Sequence, residues 1–217
     1  MEFELARRNM VDGQLRPNKV NDKDVLERFL SVRREEFVDN STREVAYADS
    51  EVLVGSGRKI MPPLVLARLL QELRLNDADK VLICAGSTGY SAAIVAPLVK
   101  KVYMLEENRS LLDIAKRALF SDAYKNVEIT QGKPENGYSK GQPYTKILID
   151  APVEEIPDAL VKQLAEGGKI ATVAKAADGM LEATVLTRTG KTLMHHPLFE
   201  TGGTVLPNFA KQEGFVF

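Results

Sequence analysis

The chain reads Val81-Leu-Ile-Cys-Ala-Gly-Ser-Thr-Gly-Tyr90 where an apolar run gives way to a turn of small residues. The run Lys80–Cys84 is short and apolar, which predicts a buried strand. The turn Ala85–Gly89 follows it and leads into a helix that the pattern predicts over Tyr90–Val99. Small residues after a first strand let the backbone approach a nucleotide cofactor closely, with the amino end of the following helix facing the ligand.

An acidic residue follows the next predicted strand. Glu106 comes directly after Lys101–Leu105 and lies 20 positions beyond Gly86. At that place a carboxylate can accept hydrogen bonds from the hydroxyls of an adenosine ribose. The turn has neither the G-x-G-x-x-G of a dinucleotide site nor the lysine of a P-loop, so the pattern favours neither NAD nor ATP. A purely structural corner is the alternative interpretation of the turn, and the acid favours a cofactor site.

Strands and helices alternate through the middle of the chain. Besides those above, the pattern predicts helices at Leu64–Leu73, Ser110–Leu119 and Pro157–Ala165, and strands at Val127–Thr130, Lys146–Ile149 and Lys169–Val173. Apolar strands separated by helices indicate a parallel sheet covered on both faces. The predicted fold class is therefore α/β, with a Rossmann-like, doubly wound and mostly parallel sheet.

The two ends of the chain depart from this alternation. Glu182–Arg188 and Lys191–Met194 predict a C-terminal antiparallel hairpin, and Gly214–Phe217 predicts a last strand or a docking tail. Near the N-terminus, Met10–Leu15 and Asp24–Leu30 have helical spacing, but the polar and glycine-bearing stretch that follows predicts an irregular arm. We therefore divide the chain into an N-terminal helical, substrate-side extension (residues 1–61) and a main domain (residues 62–217).

Composition excludes several classes of protein. Of 217 residues, 44% are hydrophobic and 27% charged, and the net charge is −1, which predicts a globular chain without general affinity for nucleic acid or anionic membranes. We expect no membrane span and no signal peptide. Cys84 is the single cysteine and His195 and His196 are the two histidines, which predicts no disulfide, no metal site and a cytoplasmic protein. The charged run Arg33–Glu36 predicts a solvated face.

A series of short blocks spans Met10 to Gly168, and its members are Met10-Val11, Gln14-Leu15-Arg16, Val25-Leu26, Arg34-Glu35, Phe37-Val38, Ala46-Tyr47-Ala48-Asp49, Gly57, Ile60, Pro63, Val81-Leu82, Gly89-Tyr90, Ala92-Ala93, Asn126-Val127, Gly132, Pro143-Tyr144, Ile156-Pro157, Leu160, Gln163-Leu164 and Gly167-Gly168. In order and spacing these blocks resemble the protein-L-isoaspartate O-methyltransferase family, which uses S-adenosylmethionine (SAM) to methylate damaged aspartyl residues. The resemblance implies a Rossmann-like methyltransferase fold, SAM as cofactor, and a protein or peptide substrate that contains isoaspartyl residues.

The resemblance also assigns candidate site residues. Cofactor contacts are expected from the glycine turn, from the acid after it and from the residue near the adenine, namely Ala85, Gly86, Ser87, Gly89, Tyr90, Glu106 and Lys133. The candidates on the acceptor side are Arg58, Lys59, Met61 and Asp150. Of these, either basic residue could hold the substrate carboxylate, and Asp150 is expected to face the cleft at the end of a strand.

At several of these positions the chain differs from the family pattern. Met61, which we expect in a polar loop, stands where the family segment Gly-Gln-Thr-Ile-Ser-Gln-Pro has serine, and a thioether cannot donate a hydrogen bond to a carboxylate. Ala85 and Ser87 replace the first two glycines of the family turn, Ile83 replaces its acid, and Lys133 replaces the acid near the adenine. Two alternatives stay open, namely a SAM-fold binding or regulatory protein without catalysis and a methyltransferase with a different acceptor.

Overall fold

A seven-stranded sheet forms the centre of the computed structural model, which describes residues 2–211. In chain order the strands are β1 (Val52–Gly55), β2 (Arg58–Ile60), β3 (Lys80–Cys84), β4 (Lys101–Glu106), β5 (Val127–Gln131), β6 (Tyr144–Val153), β7 (Leu164–Lys175), β8 (Leu181–Thr189) and β9 (Thr192–Glu200). Within the sheet the order is β5-β4-β3-β6-β7-β8-β9, and β1 pairs only with β2. The first five strands in this order, β5-β4-β3-β6-β7, are parallel. Strands β8 and β9 are each antiparallel to the strand before them, so the predicted C-terminal hairpin is confirmed.

Both faces of the central strands β3, β4 and β6 are largely buried. The helices are α1 (Phe3–Met10), α2 (Lys23–Ser31), α3 (Pro63–Leu73), α4 (Tyr90–Val95), α5 (Arg109–Ala118) and α6 (Asp158–Gln163). Because side chains alternate along a strand, Val81 and Ile83 join a core built with residues of α1 to α5, while Leu82 and Cys84 join a second core that includes Leu160 of α6. The doubly wound α/β architecture is therefore confirmed.

The order of the strands defines where a ligand can bind. From β3 the sheet grows toward β4 on one side and toward β6 on the other. In open parallel sheets, ligands bind outside the carboxyl ends of the strands at such a switch point. The carboxyl end of β3 is Cys84, and the predicted glycine turn begins at the next residue.

The N-terminal region packs on the same core as the sheet. Met10, Val25 and Phe29 belong to the cluster that contains Val81 and Ile83. The stretch that we expected to be an irregular arm instead contains the hairpin β1–β2, whose turn Gly55-Ser56-Gly57 has φ values of 112°, 50° and 71°. The hairpin packs against Leu111 of α5 through Val52, Val54 and Ile60. The division at residue 61 stays a prediction.

Three sequence expectations need correction or lie outside the described residues. Arg34 and Glu35 are buried rather than solvated, with exposures of 0% and 6%, because each finds a polar partner inside the fold. Helix α4 ends at Val95 and a 3₁₀ turn with Pro97 follows it, so the helix is shorter than predicted. The segment Gly214–Phe217 lies outside the described residues.

Candidate functional site

The turn between β3 and α4 adopts an unusual backbone conformation. Ala85, Ser87 and Gly89 have φ values of 59°, 53° and 92°. Left-handed φ values are readily accessible to glycine but cost roughly 1–2 kcal/mol at other residues. Hydrogen bonds from Gly86 N to the Leu105 carbonyl (3.1 Å) and from Gly89 N to the Gly86 carbonyl (2.9 Å) hold the turn. Ala85 and Ser87 therefore adopt the left-handed backbone conformation that glycine usually provides in such a turn.

Glu106, at the carboxyl end of β4, faces this turn and is completely buried. Its Oε2 accepts a hydrogen bond from Ser87 N at 2.9 Å. Its Oε1 accepts from Asn108 N at 2.9 Å and from Arg58 Nη1 at 3.1 Å. The spacing of turn and acid in the sequence thus corresponds to a direct contact.

Arg58 connects the hairpin to the turn. Besides its ion pair with Glu106, it donates from Nη2 to the Ala85 carbonyl at 3.0 Å, and its side chain is 13% exposed. The sequence analysis placed Arg58 on the acceptor side. In the structure its guanidinium lies against two of the predicted cofactor residues.

The other acceptor-side candidates line a small cavity, which we call the acceptor-side cavity. It measures about 20 Å³, and its lining includes Lys59, Met61, Asp150 and Thr204. Lys59 Nζ donates to Glu51 Oε2 at 3.2 Å and to Thr204 Oγ1 at 3.1 Å. Met61 is 4% exposed and belongs to the main core, so it does not lie in a polar loop.

Asp150 lies buried at the same edge of the sheet. Burial raises the pKa of its carboxyl group above the ordinary value, although the Ser91 hydroxyl and the Arg58 and Arg34 guanidinium groups act in the opposite direction. The Glu106 carboxylate adds to the upward shift. Two guanidinium groups and two carboxyl groups therefore share this edge.

Arg34 is a member of this group that the sequence analysis missed. It is fully buried, donating from Nε to the Ala46 carbonyl and from Nη2 to the Met61 carbonyl, both at 2.7 Å. Its guanidinium carbon lies 4.7 Å from the centre of the Tyr90 ring. Burial raises the pKa of Tyr90 to about 12. The available sequence signal was that Arg34 belongs to one of the family-like blocks, whereas its charge alone predicted a surface position.

Two buried polar atoms next to Glu106 have no hydrogen-bond partner among residues 2–211. They are Ser87 Oγ and Arg58 Nε. Buried polar atoms are normally satisfied by protein, water or ligand. Their position beside the turn and Glu106 is consistent with a site that accepts a polar molecule.

The last predicted cofactor residue has a different environment. Lys133 is exposed and precedes the turn Pro134–Asn136, next to Gly132, whose N–H donates to the Glu106 carbonyl at 3.1 Å. Its side chain forms neither a hydrogen bond nor an ion pair with any residue in the described part of the chain. The structure brings Arg58, Ala85, Ser87 and Glu106 into mutual contact but not Lys133.

Comparisons with known proteins agree with this arrangement. Residues 6–196 match the family model of protein-L-isoaspartate(D-aspartate) O-methyltransferase. A protein-L-isoaspartate O-methyltransferase from Syntrophobacter fumaroxidans is 33% identical over 90% of this chain and 91% of its own length. Another from Koribacter versatilis is 36% identical over 77% of this chain and 76% of its own.

Solved structures share the fold. A protein-L-isoaspartate O-methyltransferase superimposes with a TM-score of 0.80 at 24% identity, covering 94% of this chain and 67% of that one. A Plasmodium falciparum structure described as a β-aspartate methyltransferase, in complex with S-adenosyl-L-homocysteine, gives a TM-score of 0.77 at 20% identity and covers 96% and 99% of the two chains. The sequence matches, taken with the acid and turn at the switch point, show that this chain belongs to the protein-L-isoaspartate O-methyltransferase family.

Proposed function

We propose that this chain is a SAM-dependent methyltransferase that methylates a carboxylate of isoaspartyl residues in proteins or peptides. The observation that carries the proposal is the contact between Glu106 and the left-handed turn Ala85–Gly89, in a chain of this family. A carboxylate at the end of β4 is placed to accept hydrogen bonds from ribose hydroxyls.

The residues present fit a ligand of this kind, with one condition. Ser87 Oγ is buried without a partner among the described residues, and a polar group of a cofactor could satisfy it. Glu106 and the turn would hold the ribose and the adjoining part of the cofactor. The condition is that Arg58, which lies on the Glu106 carboxylate, changes position.

The main contribution that this reaction needs from the chain is alignment of the methyl donor with the acceptor. SAM, when bound, supplies a sulfonium-linked methyl group, and the acceptor carboxylate is already an anion, so the reaction needs no general base. The residues of the chain orient the two partners and exclude water. The buried edge formed by Tyr90, Ser91 and Asp150 suits that role because each of these residues is at most 4% exposed.

A binding or regulatory protein that keeps the fold without catalysis is the second candidate function. The acceptor-side cavity of about 20 Å³ favours it, because small-molecule sites typically measure roughly 300–1,000 Å³. Met61 favours it as well, since it offers no hydrogen-bond donor at the acceptor side. The residues at the cofactor turn favour the methyltransferase.

Transfer of labelled methyl groups from SAM tests the proposed function. An isoaspartyl peptide should become labelled, and a peptide of the same sequence with normal aspartate should not. Calorimetric titration with SAM and S-adenosylhomocysteine accompanies the assay. Binding without transfer to either peptide would favour a different acceptor, and absence of binding would favour the second candidate function.

The division of the chain and its compartment are also part of the proposal. We infer that residues 1–61 form the substrate-side extension, because β2 of that region supplies Arg58 and Lys59 to the site. A cytoplasmic location agrees with the single cysteine, Cys84, which is fully buried. Among residues 2–211, no helix has the length and apolar character needed to cross a membrane.

A further inference from the structure

The guanidinium of Arg58 contacts the Glu106 carboxylate, to which the ribose hydroxyls of the cofactor would donate hydrogen bonds. The distance from Arg58 Nη1 to Glu106 Oε1 is 3.1 Å, and Glu106 is 0% exposed. We propose that Arg58 competes with the ribose hydroxyls of the cofactor for Glu106. Arg58 thereby lowers the affinity of the site for SAM and its product. The inference rests on the proposed function, because it concerns the same cofactor.

The hydrogen-bonding capacity of Glu106 makes the two partners mutually exclusive. A carboxylate offers about four lone-pair sites on its two oxygens. Ser87 N, Asn108 N and Arg58 Nη1 already use three of them. Two ribose hydroxyls therefore cannot both bind while Arg58 stays. The two backbone donors belong to the turn and to the start of α5, so Arg58 is the partner that can leave.

The position of Arg58 on the hairpin allows it to leave without disturbing the sheet. Strands β1 and β2 pair only with each other. Apart from Arg58, the hairpin contacts the rest of the molecule through apolar packing on Leu111 and through hydrogen bonds of Lys59 to Thr204 and of Thr42 to the Leu53 carbonyl. Within the turn region, Arg58 is held by the Ala85 carbonyl and by Glu106. Breaking these two contacts frees the side chain, while the parallel pairing of β3 with β4 stays intact.

A second carboxylate lies within reach of the electrostatic influence of Arg58. The positive charge of Arg58 acts to lower the pKa of Asp150, which is buried at the same edge. Asp150 also lines the acceptor-side cavity together with Gly57 and Lys59, the two chain neighbours of Arg58. It therefore lies close to the displaced guanidinium when ribose hydroxyls occupy Glu106.

Calorimetric titration with S-adenosylhomocysteine tests the inference on wild type, Arg58→Gln and the control Arg33→Gln. Arg33 is 65% exposed and pairs with Glu36 on the surface. We expect Arg58→Gln to bind S-adenosylhomocysteine at least about tenfold more tightly than wild type, since a charge-assisted competitor has been removed. The control should bind like wild type. A role of Arg58 in holding the turn would give the opposite result, namely weaker binding in Arg58→Gln.

A cofactor analogue that lacks both ribose hydroxyls identifies the contact responsible. The gain in Arg58→Gln should appear for S-adenosylhomocysteine and be absent for its 2′,3′-dideoxy analogue. An equal gain for both ligands would overturn the inference, because the competition would then not involve the ribose. Circular dichroism confirms that each variant is folded before titration.

Arg58→Lys provides a second variant in case Arg58→Gln does not fold. Lysine keeps the charge but lacks the forked geometry that contacts Glu106 and Ala85 together. The Arg58→Lys variant should therefore bind S-adenosylhomocysteine more tightly than wild type. Unchanged or weaker binding in the folded Arg58 variants overturns the inference and leaves the proposed function standing. Failure of wild type and all variants to bind SAM or S-adenosylhomocysteine overturns both.

Discussion

At the scale of single residues, the site centres on the ion pair of Arg58 and Glu106, which the fold has removed from water. Arg34 and Arg58 lie on one edge of the sheet with Glu106 and Asp150. Removing one partner of a buried pair leaves an uncompensated charge and typically costs about 3–5 kcal/mol. Arg58 and Glu106 are therefore expected to affect stability as well as binding, and variants at either position require a measurement of both.

Replacing Met61 with serine is expected to raise methyl transfer to isoaspartyl peptides while lowering the stability of the fold. A hydroxyl can donate to a carboxylate oxygen. However, Met61 is 4% exposed and packs in the main core, so the loss of its side chain costs about 2–4 kcal/mol. Labelled-methyl turnover and urea unfolding measure the two effects. Met61→Ala is the matched control, and an equal rise in turnover there would show that volume rather than the hydroxyl limits the reaction.

Asp150 is expected to make stability depend on pH. Its pKa in the folded protein is raised above the ordinary 3.8, so the folded protein holds this proton more tightly than the unfolded chain does. The resulting stabilisation is complete below that value and is lost as pH rises through the raised pKa. Asp150→Asn, which cannot ionise, should therefore be more stable than wild type at about pH 8 and lose the advantage at about pH 4.

Guanidinium unfolding at the two pH values measures this effect. Asp113→Asn, on the exposed side of α5, is the control and should show no such pH-dependent gain. An advantage of Asp150→Asn that is the same at both pH values would mean that the gain comes from packing rather than from ionisation.

At the scale of elements, the segment from β3 to α4 shows what local pattern can predict. Its strand, turn and helix follow from apolar runs and small residues that are adjacent in sequence. The hairpin β1–β2 could not be found in this way, because its strands are short and its apolar residues pack on Leu111, more than fifty positions away. The burial of Arg34 and Arg58 likewise depends on distant partners, namely the Met61 carbonyl and Glu106.

The turn itself yields a prediction at this scale. Ala85→Gly and Ser87→Gly should each stabilise the fold by about 0.5 kcal/mol, because relief of the left-handed strain exceeds the extra entropy that glycine gives the unfolded chain. Urea unfolding measures the change. Ala92→Gly is the control, since Ala92 is also fully buried but lies in the right-handed helix α4, where glycine should destabilise by about 1 kcal/mol. Destabilisation in all three variants would contradict the strain argument.

At the scale of the whole molecule, Glu51 links the N-terminal extension to the C-terminal segment 201–211 beside the acceptor-side cavity. Its Oε1 accepts from Thr204 N at 3.0 Å and its Oε2 from Thr204 Oγ1 at 3.0 Å, while Lys59 Nζ approaches Oε2 at 3.2 Å. Farther along, residues 201–211 are held by Glu154, whose N–H donates to the Phe209 carbonyl at 2.9 Å. This segment and the hairpin together cover the acceptor-side cavity, to which each contributes lining residues.

Removal of the Glu51 carboxylate should loosen the segment 201–211 near Thr204 but not near Phe209. In Glu51→Ala the amide of Thr204 loses its acceptor, and its hydrogen exchange should become about tenfold faster, the effect expected when a hydrogen bond to a charged group is lost. The amide of Glu154 keeps its partner and should exchange at the wild-type rate. Hydrogen exchange followed by mass spectrometry separates the two, with Glu44→Ala on the exposed surface of the extension as control. Because this segment covers the acceptor-side cavity, which Met61 and Asp150 line, Glu51→Ala should also lower the KM for an isoaspartyl peptide. Unchanged exchange at Thr204 would show that Glu51 does not hold the segment, and faster exchange with an unchanged KM would show that the substrate enters by another route.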